Sequence, residues 1–305
     1  MESQLLRDYS LFGMRIRSRL ELPELLPAQG EGEPDVEIEI GEIPSIEEAD
    51  SVTPVEGRLL FNVPEVARYL IERGCTIRVA PEPGAPQRNI RLYLLGSAFG
   101  ALLHQRGFLP LHANAVEIEG RAFAFMGASG AGKSTLAAWF HDNGFHVIAD
   151  DVCAVCIDED GGAVAHPGLP RLRLWSDAIR FMGRYPGNYQ RSYVGPGEEL
   201  EEKFDVPIDA QKRIGAELPL AAIYLLERGE QFRVEQVQGL AAAETIFENT
   251  YRGYFLQAAG ERKSHWHLAV RLVQTTCVFR VVREWSLPKL ADQSAALVAH
   301  ANGLA

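Results

Sequence analysis

Apolar and acidic residues alternate in Val36-Glu-Ile-Glu-Ile40, the period-two pattern of a strand with one wet face. Apolar-rich runs at Arg58-Leu-Leu-Phe-Asn-Val63 and Thr76-Ile-Arg-Val79 predict two more strands. Between them, residues 64–73 predict a helix, with Pro64 in its first turn and Gly74 as its stop. The acidic, Pro-containing stretches at 29–35 and 41–54 predict loops, and Pro81-Glu-Pro-Gly-Ala-Pro86 predicts a turn or hinge. Beyond it, residues 89–106 read as one apolar helix closed by Gly107. Gly96 and Gly100, one turn apart, predict a smooth face against which another element packs closely. Residues 1–106 therefore read as a small α+β accessory region, and 107–305 as a second, α/β region.

The second region opens with strand-like sequence at 108–119 and a turn at Gly120-Arg121. A second apolar strand, Phe123-Ala-Phe-Met126, runs into Gly127-Ala128-Ser129-Gly130-Ala131-Gly132-Lys133-Ser134-Thr135 and leaves as a helix. Gly127, four residues, then Gly132-Lys133-Ser134 is the spacing of a Walker A phosphate-binding loop. Glycines let the backbone N–H groups close around a phosphate, and the helix start adds its dipole to the same anion. Lys133 then reaches the β- and γ-phosphates, and the Ser134 hydroxyl ligates Mg²⁺. The expected ligand is a nucleoside triphosphate.

After that helix and the turn Asn143-Gly144 comes the short apolar strand Phe145-His-Val-Ile-Ala149, ending in Asp150 and Asp151. If it runs in the same direction as the strand before the loop, both carboxylates reach the sheet edge that holds the phosphates. One then serves as a magnesium ligand and the other as a proton acceptor for an attacking hydroxyl. Further along, Arg171 and Arg173 alternate on a presumed strand and either face the phosphates or lie on a solvated face. Residues 185–197, rich in Gly, Pro and Tyr, read as a loop over a substrate or a plain surface excursion, and Lys203 as a phosphoryl-stabilising cation or a surface lysine. Residues 218–227 and 276–282 predict core strands, 239–248 a helix, and the Ala-rich segment from Pro288 a closing helix. Cys153 and Cys156 have redox or zinc half-site spacing but sit in a strand-like run, which favours a core role, as local packing does for His265 and His267.

Composition narrows the partners. The net charge of −11 over 305 residues argues against nucleic acid or an anionic membrane as the main partner. The most lipid-like run, residues 92–103, is too short to span a bilayer. Met1-Glu-Ser-Gln-Leu-Leu-Arg-Asp lacks the basic and apolar regions of a signal peptide, and four cysteines are too few for a disulfide framework. A reducing cytoplasm is the expected compartment.

The run Leu111-His112, the loop from Gly127 to Ser134, and Ile148-Ala149-Asp150-Asp151 together resemble the catalytic core of bacterial HPr serine kinases and their relatives. That family shares its fold with phosphoenolpyruvate carboxykinases, so the resemblance implies a P-loop domain of that kind behind the N-terminal region. By the family's roles, Asp150 is the general base for an acceptor serine, with His112 beside it. Asp151 and Ser134 hold Mg²⁺, and Lys133 neutralises the transferring phosphate. The resemblance thus implies an ATP-dependent serine kinase acting on a peptide or protein, and raises the expectation of a homo-oligomer.

It is strong over residues 108–152 and fades outside them. The family's downstream glutamate, in a Glu-Ile-Arg-Gly-Leu-Gly-like context, is replaced here by His166-Pro-Gly-Leu-Pro-Arg171-Leu-Arg173-Leu-Trp175. This departure makes HPr a poorer acceptor and phosphorolysis less expected. Divergent relatives with a Pro-Arg-x-x-Leu-Trp-like stretch resemble the chain better. Some of these phosphorylate the C-terminal serine of lasso peptide precursors, which becomes the leading acceptor class. An HPr-type kinase, a small-molecule kinase acting on free serine or a sugar, and a non-catalytic ATP-binding regulator are the alternatives.

Overall fold

A computed structural model describes residues 5–43, 52–55, 57–195 and 203–304, and shows a mixed α/β protein with three sheets. The first half of the chain forms strands β1 (Arg7–Leu11), β2 (Met14–Ser18), β3 (Leu26–Pro27), β4 (Val36–Ile40), β5 (Val52–Val55), β6 (Arg58–Val63), β7 (Ala67–Glu72) and β8 (Thr76–Pro81). They make one eight-stranded sheet in the order β3-β1-β2-β4-β8-β7-β6-β5. Helices α1 (Gln87–Tyr93) and α2 (Phe99–Gln105) follow, joined by a π-helical turn at Leu94–Ala98.

Residues 64–73 are therefore not a helix. Pro64 and Glu65 form a turn, with Glu65 at φ 62°, and β7 runs antiparallel between β6 and β8. The period-two signal is broken by one residue: Leu70 stands on the face that otherwise carries Arg68 and Glu72, so Tyr69-Leu-Ile71 reads as a continuous apolar run. Tyr69 and Ile71 enter the main core, while Leu70 packs with Ile43, Leu60 and Ala80. The loop expected at 41–54 contains part of β5, and its residues 44–51 lie outside the described ones.

The helix expected at 89–106 is interrupted by the π turn, and Gly96 in that turn and Gly100 in α2 both meet Tyr251. A Cβ on Gly100 would sit 2.9 Å from Tyr251 Cδ1, so the close-packing face predicted for the two glycines is occupied by that ring. Tyr251 and Phe255 join the core of the first sheet and its helices, as do Val152, Ala154 and Leu169. The apolar contacts thus run without a break from the first half of the chain into the second.

The second half begins with β9 (Leu109–Leu111), β10 (Ala113–Ile118), β11 (Arg121–Met126), α3 (Lys133–Asp142), β12 (His146–Ala149), β13 (Cys153–Ile157) and β14 (Ala163–His166). It continues through β15 (Arg171–Trp175), α4 (Ser176–Phe181), β16 (Gln190–Arg191), β17 (Lys203–Pro207), β18 (Leu218–Arg228) and β19 (Arg233–Val237). Helices α5 (Gly239–Glu248), α6 (Tyr254–Ala259) and α7 (Arg262–Thr275), strand β20 (Cys277–Arg283) and helix α8 (Leu290–Asn302) complete it. The large sheet runs β12-β10-β11-β18-β14-β13-β9, with β20 on β18 and β19 on β20. Strands β15, β17 and β16 form a small third sheet.

Two features of this sheet build the site. The strand expected at 108–119 breaks at His112: β9 pairs with β13, while β10 turns away to pair with β11 and β12. Strands β11, β18 and β20 are mutually parallel, and β12 shares their direction because antiparallel β10 lies between it and β11. The C-terminal ends of β11, β12, β18 and β20 therefore share one edge, where ligands of α/β sheets bind. The described helices include none long and apolar enough to cross a membrane.

Candidate functional site

The Gly127–Thr135 segment joins β11 to α3 at that edge. Gly127, Gly130 and Gly132 have φ of 150°, 81° and 79°, backbone that only glycine adopts without strain. A Cβ on Gly127 would lie 2.8 Å from the Leu226 carbonyl oxygen, so the loop also rests directly on β18. Lys133 opens α3 and is 8% exposed, and its Nζ donates to Gly127 O at 2.8 Å and Ala128 O at 3.2 Å. Burial pushes its ammonium down to about 8, and Asp151 and Asp150 oppose that shift. A negatively charged ligand in the loop would restore the ordinary ammonium range.

Asp150 and Asp151 follow β12 but enter different surroundings. Asp150 is 3% exposed. Its Oδ1 accepts the Ser134 hydroxyl at 2.9 Å, and its Oδ2 accepts the Arg173 backbone N–H at 2.7 Å. Burial raises its carboxyl above the usual range, against the pull of these two donors. Asp151 faces the cavity in front of the loop, from a left-handed backbone at φ 73°. Such a conformation persists where the surroundings over-determine it.

Burial would raise the Asp151 carboxyl too, but Arg173 and His112 hold it below the usual range. Arg173 Nη1 donates to its Oδ2 at 2.9 Å, and His112 Nδ1 stands 3.7 Å from its Oδ1. The break between β9 and β10 places His112 here. Its N–H donates to Asn249 O at 2.9 Å, and its ring stacks on Tyr251 with centroids 5.9 Å apart. Burial, then the Lys133 charge, pushes the imidazole down to about 4, so it is neutral near pH 7.

The cavity holds about 630 Å³ and is lined by the loop, His112, Asp151, Arg173, Trp175 and Lys203 on one flank. Arg171 and Arg173 do not form a solvated face: both are largely buried, close to Asp205, and Arg173 also reaches Asp151. Lys203 lies 4.8 Å from the Trp175 ring centre and its charge acts on both Asp151 and His112. By contrast, the described part of the 185–197 loop does not line this cavity. Asn89 there exchanges two hydrogen bonds with Val194, and Arg88 binds Gln190 and the Arg191 carbonyl, tying the loop to α1. Residues 196 and 197 lie outside the described ones.

The other sequence candidates are packing residues. Cys153 is buried, Cys156 Sγ lies 3.2 Å from His166 Nε2, and both thiols are free. His265 bonds Thr250 Oγ1 at 2.8 Å and packs edge-on against His104. Arg283, which sequence inspection passes over, reaches the loop from the end of β20 with Nη2 2.7 Å from Ala131 O. An Arg in an ordinary strand end carries no local signal; only the β18–β20 pairing brings it there.

Among the described residues, no cluster of three or more His, Cys, Asp or Glu side chains is arranged to hold a metal. Mg²⁺ does not need one, because it takes one or two carboxylates and completes its octahedron with substrate phosphates and water. The Ser134 hydroxyl with one of the two adjacent carboxylates, Asp150 bonded to it or Asp151 in the cavity wall, is a donor set of that kind.

A family model described as SynChlorMet cassette protein ScmC matches residues 90–193, which is 104 of the 305 residues. No curated protein matches the chain. Among solved structures, the Hpr(Ser) kinase/phosphatase from Coxiella burnetii is similar at a TM-score of 0.32 and 14% identity, over 63% of this chain and 97% of that one. At that level the likeness is weak and assigns neither activity nor site residues.

Proposed function

We propose that the chain is an ATP-dependent kinase that transfers the γ-phosphoryl group of Mg-ATP to a serine hydroxyl of a peptide or protein. The observation that carries this reading is one cavity lined by a glycine-rich loop, Lys133, Ser134, His112 and Asp151, with Asp150 behind it bonded to the Ser134 hydroxyl. The loop amides and Lys133 bind the phosphates, Lys133 exchanging its bonds to Gly127 O and Ala128 O for phosphate oxygens. Ser134 and Asp150 hold Mg²⁺, which when bound offsets charge on the phosphates.

In the transfer step, the serine oxygen bonds to the γ-phosphorus as the bond to the bridging oxygen of ADP breaks. Asp151 takes the hydroxyl proton, its carboxylate held by the Arg173 bond to Oδ2, with neutral His112 3.7 Å from Oδ1. These roles reverse the ones implied by the family resemblance, in which Asp150 is the base and Asp151 the metal ligand. The reversal rests on access. Asp151 lines the cavity, with Arg173 bonded to its Oδ2 and its Oδ1 turned toward His112. Asp150 does not line it and meets it only through Ser134, whose hydroxyl it accepts and with which it would share a metal ion. Most of the rate comes from positioning and charge neutralisation.

In this reading residues 107–305 are the catalytic region, and residues 1–106 recognise the acceptor or mediate self-assembly. The favoured acceptor is the C-terminal serine of a ribosomally made, lasso-type precursor peptide. The test is intact mass of acceptors after incubation with Mg-ATP, using HPr and a precursor peptide ending in serine, with Lys133→Ala enzyme as the blank. A gain of one phosphate on the peptide alone supports the reading. Phosphate on HPr alone favours an HPr-type kinase. Phosphate on neither, with ATP still bound, favours a small-molecule acceptor or a silent nucleotide sensor.

A further inference from the structure

The cavity is larger than a triphosphate needs, and its two flanks differ in chemistry. At about 630 Å³ it lies among sites that bury a whole small ligand. In the order β12-β10-β11-β18, with β20 on the far side of β18, the loop after β11 sits between the end of β12 and the end of β20. The β12 flank carries Asp151 and the β15–β17 residues Trp175 and Lys203, with Asp177 beyond them. The β20 flank is lined by Arg283, Trp285, Ser286, Leu287 and Leu290, and no carboxylate lines it among the described residues.

Arg283 is the unusual group there. It is 4% exposed, and among the described residues no carboxylate pairs with it. Nη2 donates to Ala131 O at 2.7 Å and Nη1 to Gln293 Oε1 at 3.2 Å, but Nε has no partner. A Cβ on Gly132 would sit 2.8 Å from Nη2, so this fixed positive charge lies directly against the phosphate loop. A buried cation without a counter-ion is costly unless an anion completes it.

Two residues on, Trp285 is 37% exposed beside apolar Leu287 and Leu290. Trp175 is equally exposed, and each indole has a cation over its ring, Lys203 at 4.8 Å from Trp175 and Arg228 at 5.9 Å from Trp285. What separates the flanks is that Asp151 and Asp177 line the cavity with Arg173 and Arg180 around Trp175, whereas Arg283 lines it without a carboxylate among the described residues around Trp285. Aromatic surface next to an uncompensated cation fits a heterocyclic base joined to phosphates, because a base stacks on indole regardless of its hydrogen-bonding edge.

We infer that the β20 flank seats the nucleoside of the triphosphate, its base stacked on Trp285 and its phosphates beside Arg283, leaving the β12 flank to the acceptor. This rests on the nucleotide-binding reading above and assigns the two ends of the cavity within it.

The test is isothermal titration of the full chain with Mg-ATP and with Mg-tripolyphosphate, which keeps the phosphates and lacks the nucleoside. Trp285→Ala is expected to weaken ATP by about 5- to 150-fold, the range of a lost base–aromatic stack, and Trp285→Phe to recover most of it. Tripolyphosphate affinity is expected to stay within about twofold in both variants, which also reports that the loop is folded, and Trp175→Ala to leave ATP affinity within about twofold. Unchanged ATP affinity in Trp285→Ala, equal loss of both ligands, or loss in Trp175→Ala instead would overturn the assignment. Wild-type chain that binds neither ligand would sink the nucleotide reading itself.

Discussion

Replacing Asp150 and Asp151 one at a time by asparagine separates the metal side of the site from the proton side. In Asp150→Asn, the amide oxygen can still accept the Arg173 N–H, now 2.7 Å from Asp150 Oδ2. The amide nitrogen donates to Ser134 Oγ, whose hydroxyl rotates to accept. Two charge-assisted bonds become neutral ones, a cost of about 1–2 kcal/mol, so the protein stays folded. Ser134 and the carboxylate are both lost as metal donors, and Mg²⁺ is expected no longer to strengthen ATP binding.

In Asp151→Asn the 2.9 Å pair with Arg173 and the 3.7 Å approach of His112 lose their charge, while the Ser134–Asp150 contact stays in place. Mg-ATP affinity is expected to hold, and transfer to fall by about 10²- to 10⁴-fold, the usual worth of a positioned base, or about 3–5 kcal/mol. The assay is ATP titration with and without Mg²⁺ beside single-turnover transfer from labelled ATP. The opposite pattern, Mg²⁺ dependence lost in Asp151→Asn and only transfer lost in Asp150→Asn, refutes the assignment. It would restore the roles implied by the HPr kinase resemblance.

Two further perturbations probe the core that supports the site. Burial pushes His104 down to about 4 and, with His104 adding to it, His265 to about 3, both held neutral beside Tyr251 and Thr250. A depressed folded pKa gives stability that is complete above about 6.5 and is lost as pH falls toward those values, at up to about 1.4 kcal/mol per pH unit for each histidine. Urea midpoints from pH 7 to 4.5 are expected to fall less steeply for His265→Gln than for wild type, since carboxylates contribute equally to both; parallel curves would contradict the buried-neutral state. Gly100→Ala drives a Cβ to 2.9 Å from Tyr251, whose ring stacks on His112. Overpacking of about 1–3 kcal/mol against a helix-propensity gain of about 1 predicts a lower melting temperature together with slower transfer, and a more stable variant with unaltered transfer would break the proposed link from α2 to His112.

Much of the site region is visible in local sequence because short-range chemistry demands particular residues. The glycines at 127, 130 and 132 mark positive φ, Lys133 marks the helix start, and the apolar run before Asp150 marks a strand end. Residues 64–73 misled for an equally physical reason. Buried Leu70 between Tyr69 and Ile71 breaks the alternation of β7, and Pro64 before a run ending at Gly74 serves a hairpin turn as well as a helix start. The β1–β2 hairpin turns on Phe12-Gly13, both at positive φ, where Phe stands in place of the Asn or Asp that usually marks such a turn, and α7 starts without a side-chain cap.

By itself, then, the sequence determined the phosphate-loop geometry, the strand that delivers two carboxylates and the glycine face at 96 and 100. Each depends on backbone preferences of a few adjacent residues. Only the tertiary structure decided that Asp150 turns inward to Ser134 while Asp151 faces the cavity, that Tyr251 fills the glycine face beneath His112, and that Arg283 lies against the loop. Those outcomes depend on strand order and on contacts between residues far apart in the chain, which no local pattern encodes.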